Sequence, residues 1–375
     1  MKSVDLLVIG LGPGGGSAAG QAAAGGLDVL AVDRRQVIGE PVQCAEFIPN
    51  PMGAYARTHP VRLQSITGMQ SILPSGAAHA SDFPGLMIDR AEFDRAIARA
   101  AEDHGAELWT ASRLTALQPA ERVATIRRNG QEQTVRYRAL VAADGPHSTV
   151  ATWLGLAPLP TVITRQYTVP LRQPLDDTII WLSDDYPGGY AWLFPRGDVA
   201  NLGLGLDPRL QPDLKGPLER LHRQLVEQGQ IGPEVLRRTG GAIPVGGPRE
   251  RLHQGVILFV GDAAGLTHPI TGAGIASAVV SGEHAGNAAV AFLNGDAGAL
   301  AEYEEDMRDQ FGPALARAVE RRRDLQPIWH TPAARQDATQ RRGWIAFNEY
   351  FEAATVRAPG PSQPIIASAP RRSLT

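Results

Sequence analysis

The hexapeptide Gly10-Leu-Gly-Pro-Gly-Gly15 sets glycine at its first, third and sixth positions, between an apolar run and an alanine-rich stretch. That spacing suits a phosphate. Gly10 permits a tight turn, Gly12 lets an oxyanion reach the backbone, and Gly15 lets strand and helix pack closely. The amides and dipole of the following helix start then stabilise negative charge, with Gly14 in the same turn. Asp33 closes a second apolar run roughly 20 residues on, the reach at which a carboxylate holds ribose hydroxyls, and Arg34 beside it joins the candidate cofactor residues. The motif indicates a bound dinucleotide, which by itself could still be NAD.

Distant segments favour FAD. Asp144-Gly145 follows the apolar run 139–143, and Gly261-Asp262 follows the run 256–260, so each sets a carboxylate beyond a strand end. Asp262 is placed to meet the ribityl or phosphate-proximal groups. Gly272 and Gly274 open a helix whose amides can face the electron-rich edge of a flavin, with His268 and Pro269 in the turn before it. A plain structural turn is the competing reading at each place. His147-Ser148 has no third partner that would make a triad.

The elements that must position these groups follow from the pattern. A strand over 4–9, the glycine turn 10–15, a helix to Gly26 and a strand over 28–33 begin a βαβ unit. A helix starts at Arg90 and ends near Gly105, followed by an extended segment 107–110. Segments 121–128 and 133–138 flank Asn129-Gly130, a hairpin dipeptide. Runs 161–169, 178–182, 190–195 and 199–206, with a helix near 214–228, form a second, sheet-rich unit. The strand 256–260 returns to the first unit, and helices are expected over 274–293, 299–323 and 336–354. The expected class is therefore α/β, a discontinuous Rossmann-type FAD-binding domain with an antiparallel-sheet substrate domain. Its parts are 1–158 and 251–325 for the cofactor, 159–250 for the substrate, 326–354 as a C-terminal helical segment, and 355–375, with four prolines and no acidic residue, as a flexible tail.

Composition excludes several classes. With 375 residues and 43% hydrophobic content the chain can bury a full core. One cysteine cannot close an intrachain disulfide, and no Cys/His cluster supplies zinc ligands. A net charge of -3, from 36 basic and 39 acidic side chains, creates no field for nucleic acid. The runs Arg321-Arg322-Arg323 and Arg341-Arg342 read as solvated helix faces. No apolar run approaches ~20 residues, and none of secretory type stands at the start, so the cytoplasm is the expected location and any membrane contact is peripheral, at the inner face. Trp344, Phe347, Tyr350 and Phe351 fall near one helical face, suited to packing on the body or to such contact.

Four segments together, Gly10 to Gly15, Arg90-Ala-Glu-Phe-Asp94, Ala143-Asp-Gly-Pro-His-Ser148 and Gly261 to Gly274, resemble the geranylgeranyl reductase family within the para-hydroxybenzoate-hydroxylase-like flavoproteins. Two more narrow the likeness to the reductase branch: Gly39-Glu-Pro-Val-Gln-Cys-Ala-Glu46 and Pro187-Gly-Gly-Tyr-Ala-Trp-Leu-Phe-Pro195, the latter followed by Asn201-Leu-Gly203. Gly14 and Gly16 stand where the family more commonly has alanine and serine or threonine. The resemblance implies that Asp33 holds the adenosine ribose, Arg90 lies near the FAD phosphates or ribityl chain, and Asp262 binds the centre of the cofactor. It also implies that the Pro41–Glu46 segment borders the reaction space.

The leading chemistry is hydride transfer from flavin to an alkene of a prenyl or other apolar substrate, with a proton delivered to the other carbon. Cys44 is a candidate donor and Glu46 a candidate relay, against a merely buried cysteine and a surface glutamate. Tyr190, Trp192 and Phe194 alternate on one strand face, where they line an apolar channel or fill the core. No second glycine fingerprint holds a nicotinamide, so NADPH is expected as a transient donor, with a protein electron donor as the alternative. An aromatic or quinone monooxygenase and a non-catalytic flavin sensor or lipid-binding module remain alternatives. A halogenase is disfavoured by the lack of a WxWxIP segment.

Overall fold

The computed structural model describes residues 1–58 and 61–352. The 355–375 tail expected to be flexible lies outside them. The chain opens as read: strand Lys2–Ile9, helix Pro13–Ala24 and strand Val29–Val32. Leu6, Leu7 and Val8 are wholly buried, and each apolar side chain of that size contributes about 1.5–3 kcal/mol on leaving water. Parallel neighbours run in the order Ile257–Phe259, Gln131–Ala142, Lys2–Ile9, Val29–Val32 and Glu107–Trp109. Residues remote in sequence thus build one sheet whose strand ends converge on the glycine turn.

The expected pieces 133–138 and 139–143 form one strand, Gln131–Ala142. Its first half pairs antiparallel with Val123–Arg128, and from Val135 onward it also pairs in parallel with Lys2–Ile9. Asn129 and Gly130 both take positive φ, 50° and 77°, which is what a two-residue turn matched to strand twist demands. Helix Arg90–Asp103 begins at the Asp89 cap, whose side chain accepts from the Glu92 amide.

The second sheet has the strand order Arg237–Thr239, Thr161–Pro170, Val199–Leu206, Tyr190–Arg196, Thr178–Trp181, Met69–Ile72 and Ala78–Ser81. Two of these strands come from early in the chain, and Met69–Ile72 pairs in parallel with Thr178–Trp181, the one parallel pairing in this otherwise antiparallel sheet among the described residues. Helix Lys215–Glu227 covers one face through Leu218, Leu221 and Leu225, against Leu193, Leu202 and Leu204. The opposite face carries Trp192 and Phe194 with Trp344 and Phe347. A strand sends successive side chains to opposite faces, and that alternation is the cause of the division.

Helices Ile275–Leu293 and Ala299–Leu325 follow. The single helix expected over 336–354 is divided into helix Asp337–Gly343 and a 3-10 turn Asn348–Tyr350, because Trp344 adopts extended backbone and turns inward. Trp344, Phe347 and Tyr350 are buried, whereas Phe351 faces solvent at 56% exposure. The described helices include none long and apolar enough to cross a membrane.

Candidate functional site

The glycine turn is shaped by backbone contact. A Cβ at Gly10 would lie 2.3 Å from the Ala143 carbonyl oxygen, and one at Gly15 would lie 1.9 Å from that of Gly10. Gly14 packs against Ala278 of the distant helix Ile275–Leu293. At Gly12, by contrast, a Cβ meets nothing within 4 Å. The open side of the turn is therefore beside the first amides of helix Pro13–Ala24, which has no side-chain cap and no acidic residue in its first turn. Free amides with an open approach are what an anionic phosphate requires.

Asp33 stands at the strand end with its Oδ2 accepting from the Leu11 amide at 2.8 Å and its Oδ1 from the Arg35 amide at 2.7 Å. Each oxygen keeps a lone pair for a hydroxyl. Arg34 points to solvent, while Arg35 turns back to donate to Gln43 Oε1 at 3.2 Å. Asp144 accepts through Oδ2 from the Thr149 and Val150 amides, and its buried Oδ1 has no partner among the described residues. Burial raises its pKa against the pull of Ser148 and those amides. An orphaned buried acceptor at a strand end is a vacancy in hydrogen bonding that a hydroxyl-bearing cofactor would fill.

Arg90, Asp94, Cys44 and Asp262 share one charged centre. Arg90 donates to both Asp94 oxygens, at 3.1 and 3.2 Å. Burial opposes the guanidinium charge, but the ion pair with Asp94 outweighs it and holds Arg90 cationic. Burial likewise raises Asp262, against Thr267 and Arg90. Thr267 Oγ1 donates to Asp262 Oδ1, and a Cβ at Gly274 would meet that same hydroxyl at 2.7 Å, so glycine is needed there. Gly261 and Gly272 both take positive φ, 54° and 69°. His268 Nδ1 accepts from the Ile270 and Thr271 amides, and burial pushes its pKa down to about 4, leaving the ring neutral. Pro269 is buried in the same loop, and His147 is exposed.

Cys44 lies on an irregular loop between the two sheets. Burial pushes its thiol up from the ordinary value, and Arg90 pulls it back only in part. The Glu46 amide donates to Cys44 Sγ at 3.2 Å. Glu46 is no surface residue: it is 0% exposed, at φ 71°. Its Oε1 accepts from the Arg90 amide at 3.2 Å and its Oε2 from Asn201 Nδ2 at 2.9 Å, with Arg196 and Arg237 at 3.5 and 3.8 Å. Gln166 Nε2 donates to the Cys44 carbonyl, Trp192 Nε1 donates to Gln166 Oε1, and Asn201 also holds the Ala45 carbonyl. Gln166 was missed in the sequence. The available signal was the polar series Thr164, Gln166 and Thr168 at alternate positions of one strand, which marks a polar face.

Tyr190, Trp192 and Phe194 continue into a row of rings: Trp344 to Tyr190 at 4.8 Å between centroids, Tyr190 to Trp192 at 5.7 Å, Trp192 to Phe194 at 6.4 Å, and Phe194 to Phe47 at 6.0 Å. The Tyr190 hydroxyl donates to the Thr271 carbonyl at 2.5 Å. Burial raises the phenol pKa, and Cys44 adds to that rise. The row therefore runs from the His268 loop past the cysteine loop.

A family model for FAD-dependent oxidoreductases matches residues 52–288. The digeranylgeranylglycerophospholipid reductase of Methanocella arvoryzae is 36% identical over 344 residues, covering 84% of this chain and 86% of that protein. This chain belongs to the geranylgeranyl reductase family of FAD-dependent oxidoreductases. The corresponding protein of Methanothrix thermoacetophila is 34% identical, with coverage of 84% and 86%. A solved geranylgeranyl bacteriochlorophyll reductase-like structure from Thermoplasma acidophilum superposes with a TM-score of 0.81 at 27% identity, over 92% of this chain and 93% of that one. As a member of that family the chain is a FAD-dependent oxidoreductase, and the mixed parallel and antiparallel sheets are those of a geranylgeranyl reductase-like fold.

Proposed function

We propose that this member of the geranylgeranyl reductase family saturates carbon-carbon double bonds in the prenyl chains of a phospholipid, with Cys44 as the proton donor. The observation that carries the reading is the placing of Cys44, beside Arg90 and joined through Gln166 to Trp192 of the aromatic row. The names of these two relatives support the substrate class.

The residues present fit FAD. Gly10, Gly12, Gly14 and Gly15 with the helix amides would hold the pyrophosphate, and Asp33 the adenosine ribose. Arg90, Asp144, Asp262 and the 268–274 loop would hold the ribityl and ring portions. Bound there, FAD supplies the hydride equivalent. Cys44 Sγ–H gives its proton to the alkene carbon that does not receive hydride, and the adjacent Arg90 charge stabilises the thiolate left behind until water restores the proton. Glu46, Gln166 and Asn201 hold that loop in place. Tyr190, Trp192 and Phe194 exclude water and orient the chain. Residues 1–158 and 251–325 would serve the cofactor and 159–250 the substrate, except that Met69–Ile72 and Ala78–Ser81 extend the second sheet and so go with the substrate unit. NADPH is the proposed transient donor, with a protein donor as its rival, and the lipid would be met peripherally at the inner membrane face.

The test is anaerobic mixing of chemically reduced, FAD-loaded protein with a prenyl phospholipid, reading the oxidised-flavin spectrum and product mass. A gain of two hydrogens per alkene is expected, and Cys44→Ser should slow that step by about 10²-fold or more while retaining FAD. A flavin that stays reduced with no mass gain overturns the reading. Equal rates in Cys44→Ser overturn the cysteine's role alone.

A further inference from the structure

A cavity of about 300 Å³ opens between the second sheet and the C-terminal helices, away from the glycine turn. Its walls mix Leu210, Ile270, Trp329 and Trp344 with three arginines, Arg209, Arg322 and Arg323, and a single carboxylate, Asp207. That carboxylate is already engaged, since Arg209 donates to both its oxygens at 2.9 and 2.6 Å. Arg322 is bound differently. One terminal nitrogen donates to the carbonyls of Gly188 at 2.7 Å and Pro269 at 3.3 Å, while its Nε and second terminal nitrogen have no hydrogen bond among the described residues. No ion pair of Arg322 occurs there either. Burial lowers its pKa to about 10, Asp207 opposing, so the group is still cationic at neutral pH.

A partly buried guanidinium fixed by carbonyls in the wall of a cavity rich in cationic side chains, with donors that the described residues leave unpaired, is a preorganised anion site. Planar paired N–H donors match a phosphate better than a point charge does. We propose that this cavity binds the phosphate end of the prenyl lipid, with Arg322 as its principal donor and Arg323 at the rim. The inference rests on the prenyl-lipid reading above and assigns the end of the molecule that this cavity takes. Its volume is at the low end of the ~300–1,000 Å³ common for ligand pockets, enough for a headgroup and the first isoprene units.

Tyr190 and Trp344 line the cavity and also begin the aromatic row, so in this proposal a chain anchored by its phosphate meets the start of that row, with Trp192 and Phe194 packed beyond the cavity wall. Anchoring one end sets which double bond reaches the cysteine loop. A neutral prenyl alcohol of equal length lacks that register.

The experiment compares geranylgeranyl phosphate with geranylgeraniol in one detergent, titrated calorimetrically into oxidised, FAD-loaded protein. The phosphate is expected to bind about tenfold or more tightly, and Arg322→Gln to abolish the difference while leaving alcohol binding unchanged. Equal affinities of the two compounds for the unaltered protein overturn the proposal, as does a folded Arg322→Gln protein that keeps the preference. Because Arg322 also supports two carbonyls, Arg323→Gln is measured alongside, with a smaller loss of phosphate preference expected and none of melting temperature. In a parallel arm the reduced protein is given both compounds. Hydrogen gain with equal binding sinks the anion site and leaves the reductase reading standing. Phosphate preference without hydrogen gain does the reverse.

Discussion

The glycine turn and the cysteine loop border the same charged centre, but they are held in place by different means. The turn is shaped by backbone against backbone, at Gly10 with Ala143 and at Gly15 with Gly10, and Asp33 ties it to the second strand through one amide of the turn. The cysteine loop is suspended from side chains of the other sheet: Gln166 on the Cys44 carbonyl, Asn201 on the Ala45 carbonyl, and Glu46 locked among Asn201, Arg196 and Arg237. Backbone shape tolerates one residue type. A side-chain suspension can be retuned by substitutions far from the cofactor, which separates cofactor affinity from the placement of the reactive thiol.

The sharpest way to break this contrast is Gly15→Val. The new side chain collides with a carbonyl that cannot move, so a loss of about 3 kcal/mol or more and a protein purified without flavin are expected. The flavin-to-protein absorbance ratio and a thermal melt check it. His268, on the loop that Tyr190 joins to the second sheet, gives the next effect. Its folded pKa near 4 lies below the ordinary 6.5, so its contribution is complete above pH 6.5 and is lost as pH falls toward 4, by up to about 3 kcal/mol. Asparagine can keep an acceptor for the two amides, so the urea-unfolding stability of His268→Asn should be flatter than that of the unaltered protein across this window.

Glu46→Gln should cost about 2 kcal/mol, because it takes the counter-charge from Arg237 and leaves Arg196 only Asp89 at 3.6 Å, and both arginines are partly exposed. Alkylation of Cys44 by iodoacetamide is expected to quicken while flavin content stays constant. Flavin lost in step with thiol protection would show that the two regions are not held separately. Gly12→Ala has the smallest effect on the fold, within about 0.5 kcal/mol, since its Cβ meets nothing and its φ is ordinary. The methyl stands where the phosphate approaches, so titration of apoprotein should nevertheless show FAD affinity reduced about tenfold or more.

What the sequence displayed follows the same division. The strand, glycine turn, helix and second strand are local in the chain, and periodicity with turn chemistry placed them within a few residues. Alternation also put Tyr190, Trp192 and Phe194 on one face, though not what filled the space opposite, because Trp344 arrives from a segment read as regular helix. The partners of Glu46 come from three separate strands and from the start of helix Arg90–Asp103, and no local pattern couples them. Arg322 read as one of a solvated run, yet the helix turns it under Gly188 while Arg323 stays outside. Charge runs do not reveal which member faces inward.

The contact between helices Pro13–Ala24 and Ile275–Leu293 bears on the order of events at the ribosome. A Cβ at Gly282 would lie 2.2 Å from the Gly14 carbonyl oxygen, and one at Gly286 would lie 2.6 Å from that of Ala18, so the helices touch without side chains between them. The turn that receives phosphate is translated first, but the surface that braces it is translated most of a chain length later. At about 5–20 residues per second the nascent first helix waits for tens of seconds with its glycine face exposed to water. Stable capture of the cofactor is therefore expected only after helix Ile275–Leu293 has left the exit tunnel, which would make flavin loading a late step of biosynthesis.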